Sequence, residues 1–258
     1  MKNPLDTPCV NGGFTAIFRT LGCIGDSLAS GEHESFDGEK IDYHDYYEYS
    51  WGQFIARRCG LTAYNFSCGG LTAKEFRQYK GYNKSFVPEK ACQAYIIALG
   101  RNDMKYWDNY EYGFGSIDDV DFERPDNNRD SFVGHYVKII QEIRILQPKA
   151  RIFVVTMPVS DTDRGEKDEK ADMHAEFLRS LPNYFEFLYV LDLRKYAPVH
   201  DGKFRESYYC GGHLSAMGYL LTAEQMMTLI DDIIKNNPKD FTQVGFIGKS
   251  VHNIREKW

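Results

Sequence analysis

No run of 18 apolar residues occurs in the 258-residue chain, so no membrane-spanning helix is expected. The opening MKNPLDTPCV has no apolar segment behind its lysine, and without a secretory leader the expected location is the cytoplasm. A basic excess is also missing. Lys and Arg number 31 against 37 Asp and Glu, for a net charge of -6. Phosphate contacts supply most non-specific nucleic-acid affinity, so no nucleic-acid partner is expected. The six cysteines (Cys9, Cys23, Cys59, Cys68, Cys92 and Cys210) include no CxxC pair. Scattered in this way, they read as free thiols rather than as a zinc site or a disulfide framework. No metal is expected from this spacing. Internal repeats and low-complexity linkers are absent too, which leaves one domain over residues 1–258.

What is present alternates strand and helix. Short apolar runs at 18–24, 63–67, 94–99, 151–157 and 187–193 read as buried strands. Between and after them, 49–59, 131–147, 167–181 and 214–235 carry helical periodicity, closed by Gly60 and Pro148 at the first two. Five apolar runs separated by helices predict a parallel sheet covered on both faces. The core spans about 14–236. The tail 237–258 has Phe241, Val244, Phe246, Ile247 and Trp258, and is expected to pack back on the body.

Ligands of such sheets bind beyond the carboxyl ends of the strands, and four groups of polar residues matter for that reason. Ser27, in Ile24-Gly25-Asp26-Ser27-Leu28, follows the first strand. In isolation the string is equally an ordinary strand-to-loop turn. Gly70 follows the second strand, where a bare backbone N–H can approach a substrate oxygen. Asn102, in Gly100-Arg101-Asn102-Asp103, follows the third and offers an amide donor, although an Asn-Asp turn is the commoner meaning. His213 in Gly211-Gly212-His213-Leu214 precedes the last helix and is the candidate general base. Among His33, His44, His135, His174, His200 and His252, only His200 beside Asp201 rivals it.

In this order the four groups resemble the motifs of the SGNH, or GDSL, hydrolase superfamily over roughly residues 19–234. Gly25-Asp26-Ser27-Leu28 is similar to the nucleophile motif. Asn65 to Thr72 (NFSCGGLT) resembles the second motif, whose glycine is matched by Gly70. Gly100-Arg101-Asn102-Asp103 is similar to the third, and His213 falls where the family places its base. The resemblance implies a flavodoxin-like, three-layer α/β/α sandwich with a five-stranded parallel sheet. It also implies a serine esterase of short-chain esters, including acetyl esters of carbohydrates, with a small-molecule ester as its partner and no cofactor. Ser27 would attack, His213 would move the proton, and Ser27, Gly70 and Asn102 would hold the oxyanion. An acyltransferase of the same fold and a non-catalytic binding domain are the alternatives. The sequence carries no signal for an oligomeric state.

One position departs from the pattern. The family has Asp three residues before the histidine, where this chain has Cys210. An acid there orients the imidazole and stabilises its charged form. Three substitutes are open: the main-chain carbonyl of Cys210, which is the expected one, or the carboxylates of Asp201 or Glu206. A further expectation concerns the long insertion at 105–129. Its aromatic part, 106–121, is expected to wall the substrate cleft; its acidic residues lack the spacing of a calcium loop.

Overall fold

The molecule is organised around one sheet whose central strands are buried on both faces. The computed structural model describes residues 2–78 and 86–251. Along the chain lie β1 (Thr20–Gly25), α1 (Ser27–Ser30), the antiparallel pair β2 (Glu32–Phe36) and β3 (Ile41–Asp45), α2 (Trp51–Cys59), β4 (Thr62–Ser67) and α3 (Ala73–Gln78). These are followed by β5 (Ala94–Ala98), α4 (Asp103–Tyr106), α5 (Phe132–Leu146), β6 (Arg151–Val155), α6 (Glu166–Ser180) and β7 (Leu188–Leu191). The chain ends in α7 (Leu193–Tyr196), α8 (Gly202–Tyr208), the short antiparallel pair β8 (Tyr209–Cys210) and β9 (His213–Leu214), α9 (Ala216–Asn236) and α10 (Pro238–Phe241).

The sheet has the order β4-β1-β5-β6-β7 with every neighbour parallel. Successive side chains of a strand point to opposite faces. Cys23, Ile96 and Phe153 therefore pack with Ile55 of α2 and Met226 and Ile230 of α9. Their neighbours Ile24, Ile97 and Val154 pack on the other face, with Phe132, Tyr136 and Ile140 of α5 and Leu178 of α6. This is a three-layer α/β/α sandwich. Side chains as fully buried as Phe132 and Tyr136 contribute roughly 1.5–3 kcal/mol each. Helix starts are fixed by serine caps: Ser50 accepts from the N–H of Gln53 at 3.2 Å, and Ser131 from that of Gly134 at 3.0 Å.

Two expected segments take definite places. Phe241, Val244 and Ile247 join the buried core on the α2–α9 face, while Trp258 and His252 lie outside the described residues. In the insertion, Trp107 is 1% exposed and packs edge-on to Phe114, with ring centroids 4.8 Å apart, and against Phe132.

The topology also fixes where a ligand fits. After β1 the chain adds β4 on one side and β5 on the other, so the connections diverge between the carboxyl ends of β1 and β5. In doubly wound sheets, that switch point is the binding crevice.

Candidate active site

Ser27 leaves the carboxyl end of β1 and is the first residue of α1. Asp26 caps that turn, its Oδ1 accepting the N–H of Leu28 at 3.1 Å. The Asp26 side chain is buried, and desolvation pushes its carboxyl up to about 6 despite the Leu28 N–H and His213, which pull it down. Across the switch point, Asn102 follows β5. Its Nδ2 donates to the carbonyl of Leu71 at 3.2 Å and faces Asp26 Oδ2 at 3.4 Å. The amide is thus held between a residue of the first strand-end motif, Asp26, and one of the second, Leu71. Gly70 has φ +76°, a conformation that costs a side-chain-bearing residue about 1–2 kcal/mol, and it is exposed. Ser27, Gly70, Asn102 and His213 all line one cleft of about 510 Å³.

His213 is delivered by the β8–β9 hairpin, where it pairs with Cys210 across Gly211-Gly212. Its Nδ1 lies 2.6 Å from Glu34 Oε1, and Glu34 Oε2 accepts the N–H of Gly212 at 2.7 Å. Side chains at Gly211 or Gly212 would collide with this carboxylate, so the glycine pair makes room for it. On the other ring nitrogen, Nε2 lies 3.1 Å from Glu32 Oε1. The Ser27 hydroxyl makes no hydrogen bond among the described residues. Tyr219 of α9 donates to the carbonyl of Glu32 at 2.7 Å and reaches that of Ser27 at 3.5 Å, which ties the start of β2 to the serine turn.

The carboxylate in contact with Nδ1 of His213 is thus that of Glu34, and none of the three expected substitutes is found there among the described residues. The Cys210 thiol faces the Glu34 carbonyl at 3.7 Å, and it is the Glu34 carboxylate rather than the Cys210 carbonyl that meets the imidazole. Asp201 is occupied as the cap of α8, accepting the Phe204 N–H at 2.9 Å. Glu206 lies on the exposed side of α8. Sequence reasoning missed Glu34, but a signal was present. In Ser27-Leu28-Ala29-Ser30-Gly31-Glu32-His33-Glu34, two glutamates two residues apart follow the nucleophile turn, and strand periodicity puts both on one face.

The rival histidines have other partners. His200 lines the cleft but gives its Nδ1 to the Tyr209 hydroxyl at 2.9 Å and stacks on Phe204; burial pushes it down to about 4. His174 is wholly buried beneath the Leu99 carbonyl and is also pushed down to about 4.

The expected aromatic wall is corrected as well. No residue of 106–121 lines the cleft. Trp107 and Phe114 are core residues, and Tyr106 and Tyr110 line a separate, shallow depression with Thr72 and Glu75. Cleft aromatics come instead from Tyr43, Trp51 and Tyr209. Tyr43 is 59% exposed and meets the His213 ring edge-on at 5.9 Å. Also lining the cleft, Arg101 forms a two-point fork with Asp163 at 2.6 and 2.8 Å, and Arg205 bonds the hydroxyls of Ser160 and Thr162.

Among the described residues, no group of three His, Cys, Asp or Glu side chains is placed to hold a metal ion, and no helix is long and apolar enough to cross a membrane.

Fold and site together place a serine at the switch point of the parallel sheet in a three-layer α/β/α sandwich. The sequence matches the GDSL-like lipase/acylhydrolase family over residues 23–221, and the chain belongs to that family. No curated protein is similar to it in sequence. Three solved structures share the fold at low identity. A family two carbohydrate esterase from Clostridium thermocellum, in complex with cellohexaose, is 19% identical over 86% of this chain and 65% of its own, with a TM-score of 0.57. A carbohydrate esterase family 2 enzyme plus carbohydrate-binding domain from Corynascus thermopiles is 17% identical over 84% and 67%, with a TM-score of 0.59. A possible lipase from Chitinophaga pinensis is 18% identical over 85% and 98%, with a TM-score of 0.54. The chain thus spans about two thirds of the length of the two carbohydrate esterases.

Proposed function

We propose that the protein is a serine esterase acting on short-chain carboxylic esters through an acyl-enzyme on Ser27. The observation that carries the reading is the 2.6 Å contact between Glu34 and Nδ1 of His213, in the cleft that also holds Ser27. A carboxylate there selects the tautomer whose Nε2 is free to accept a proton, and stabilises the imidazolium that results. His213 takes the proton of Ser27, whose oxygen attacks the ester carbonyl. The N–H groups of Ser27 and Gly70 and the amide of Asn102 receive the charge that develops on the carbonyl oxygen. His213 then protonates the leaving alcohol, and water, activated by the same base, releases the acid. Glu34 holds the ring throughout, taking the part that a residue at position 210 plays in the family pattern.

The polar groups of the cleft at Arg101, Arg205, Ser160 and Thr162 suit the alcohol portion of a carbohydrate ester, the substrate class named for the two similar esterases. The test is hydrolysis of p-nitrophenyl acetate together with labelling by a fluorophosphonate. Wild type should cleave the ester and label at Ser27, and Ser27→Ala should do neither. Hydrolysis that survives Ser27→Ala, or a wild type inert toward every short acyl ester, would overturn the reading.

A further inference from the structure

Glu32 is the cleft residue to which the mechanism above gives no task. It opens β2 immediately after the turn begun by Ser27, and its side chain is 14% exposed. Oε1 sits 3.1 Å from Nε2 of His213. Oε2 lies against Gly69, where any side chain would collide with it. The carboxylate therefore spans from the base to the turn that carries Gly70. It occupies the nitrogen that Ser27 needs, while the Ser27 hydroxyl has no hydrogen-bond partner among the described residues. Oε2 accepts no hydrogen bond from the described residues either, and Glu32 lines the cleft.

An acceptor held in that place selects a donor from the substrate. A cationic alcohol is disfavoured, because Arg101, Lys105 and Arg205 line the same cleft. An anionic group next to the base is disfavoured by Asp26, Glu32 and Glu34. A neutral hydroxyl remains, and a hydroxyl both donates and accepts, as do the cleft's own groups at Ser160, Thr162 and Tyr209. Exposed Tyr43 beside His213 offers an apolar face with a polar tip to the same part of the substrate.

We propose that Glu32 is a specificity-determining residue: a hydroxyl next to the scissile ester bonds its carboxylate and draws it off Nε2 of His213, the Nε2 proton that this carboxylate had held passes to water, and the lone pair is left free for Ser27. Esters of polyhydroxylated alcohols are then turned over in preference to esters of simple ones. This rests on the esterase reading of Ser27 and His213.

The experiment compares p-nitrophenyl acetate, whose alcohol has no neighbouring hydroxyl, with a monoacetylated methyl glycoside that has one. Both are assayed with wild type, Glu32→Gln and Glu32→Ala. Binding of the unacetylated methyl glycoside is followed by NMR titration in the Ser27→Ala background, with and without Glu32→Gln. Of the two variants, Glu32→Ala should turn over p-nitrophenyl acetate severalfold faster, because Nε2 is released, and Glu32→Gln, whose amide can donate to Nε2, should gain less. They should lose about tenfold in kcat/KM on the glycoside ester, and Glu32→Gln should weaken glycoside binding by about tenfold, the scale of one hydrogen bond to a charged group. A purely structural role cannot move the two substrates in opposite directions. Equal losses on both substrates, or no change in either, overturn the proposal while Ser27-dependent hydrolysis still stands. If hydrolysis persists in Ser27→Ala, the esterase reading falls instead, and the NMR titration still decides whether Glu32 binds the glycoside. Glycoside binding that is absent in the Ser27→Ala background overturns the role given to Glu32.

Discussion

Glu34 and His213 meet at 2.6 Å although 179 residues separate them in the chain. The contact brings a carboxylate to a histidine that has Cys210, not an acid, three residues before it. Both Glu34 oxygens are engaged, one by the imidazole and one by the Gly212 N–H. Glu34→Gln must turn its amide toward one of these two donors. It should lower kcat by roughly 10²- to 10⁴-fold with little change in KM. Cys210→Ser should stay near wild type. Cys210→Asp added to Glu34→Gln should recover part of the loss, because it returns a carboxylate to the position the family pattern uses. Steady-state kinetics on p-nitrophenyl acetate checks all three. A Glu34→Gln enzyme with wild-type kcat would show that the ring is oriented by something else.

Asn102 is oriented before any substrate arrives, by the Leu71 carbonyl and Asp26 Oδ2. The Leu71 carbonyl keeps one N–H of the amide, while the other, at the longer 3.4 Å from Asp26 Oδ2, is the one that charge on the substrate oxygen can draw away; removing one such oxyanion donor costs about 10²- to 10³-fold in kcat. Asn102→Ala should show that loss with an unchanged fold, read by circular dichroism. Asp26→Asn should show a smaller one, since its new amide can face Asn102 donor to donor. If Asn102→Ala loses affinity instead, with KM rising and kcat unchanged, the amide binds the ground state and not the oxyanion.

How much of this was legible from sequence follows from what each element buries. The five sheet strands announce themselves because both faces are covered, so their residues form continuous apolar runs such as Ile152 to Val155. Ser27, Asn102 and His213 stand next to such runs or next to a long amphipathic helix. The β2–β3 hairpin has no such mark. Its burial is intermediate to exposed at every position, and Glu-His-Glu-Ser-Phe carries no apolar alternation. Its partner on the His213 side is a two-residue strand, so the Glu34 contact depends on tertiary placement rather than on a local pattern. The insertion misled for the opposite reason. Its aromatics are polar in sequence context, yet Trp107 and Phe114 cover α5, a packing that nothing near residue 107 reveals.

That distinction between core and cleft is testable in the aromatics. Tyr43→Ala should raise KM for a carbohydrate ester several-fold while leaving the thermal midpoint nearly unmoved, since the ring is 59% exposed. Trp107→Ala should destabilise the fold by about 3–5 kcal/mol in urea titration, the cost of emptying a large buried aromatic site. Tyr106→Ala, 51% exposed and away from the cleft, should leave both quantities within a factor of two. A large activity loss in Tyr106→Ala would restore the insertion as a cleft wall.

The last prediction concerns pH and Asp103, the residue after Asn102. Asp103 is fully buried; Oδ1 accepts the Ala73 N–H at 2.9 Å, and Oδ2 has no hydrogen-bond partner among the described residues. Desolvation, reinforced by the charge of Asp26, raises its carboxyl to about 7 from an ordinary 3.8. Below about pH 4 the group is protonated in both folded and unfolded chains and contributes no slope. Between about 4 and 7 the unfolded chain gives up the proton while the folded one keeps it, so stability falls as pH rises, by at most about 1.4 kcal/mol per unit. Above 7 both states are ionised and the loss is complete. His174 and His200, pushed down to about 4, act in the opposite direction up to about 6.5. The informative quantity is therefore the difference between wild type and Asp103→Asn in urea unfolding at pH 5, 6, 7 and 8. The variant should gain on wild type steadily from pH 5 to 7 and then hold that gain, for a total of a few kcal/mol. A difference that is flat across this range would mean that Asp103 is ionised in the folded protein throughout, with a compensating partner in place.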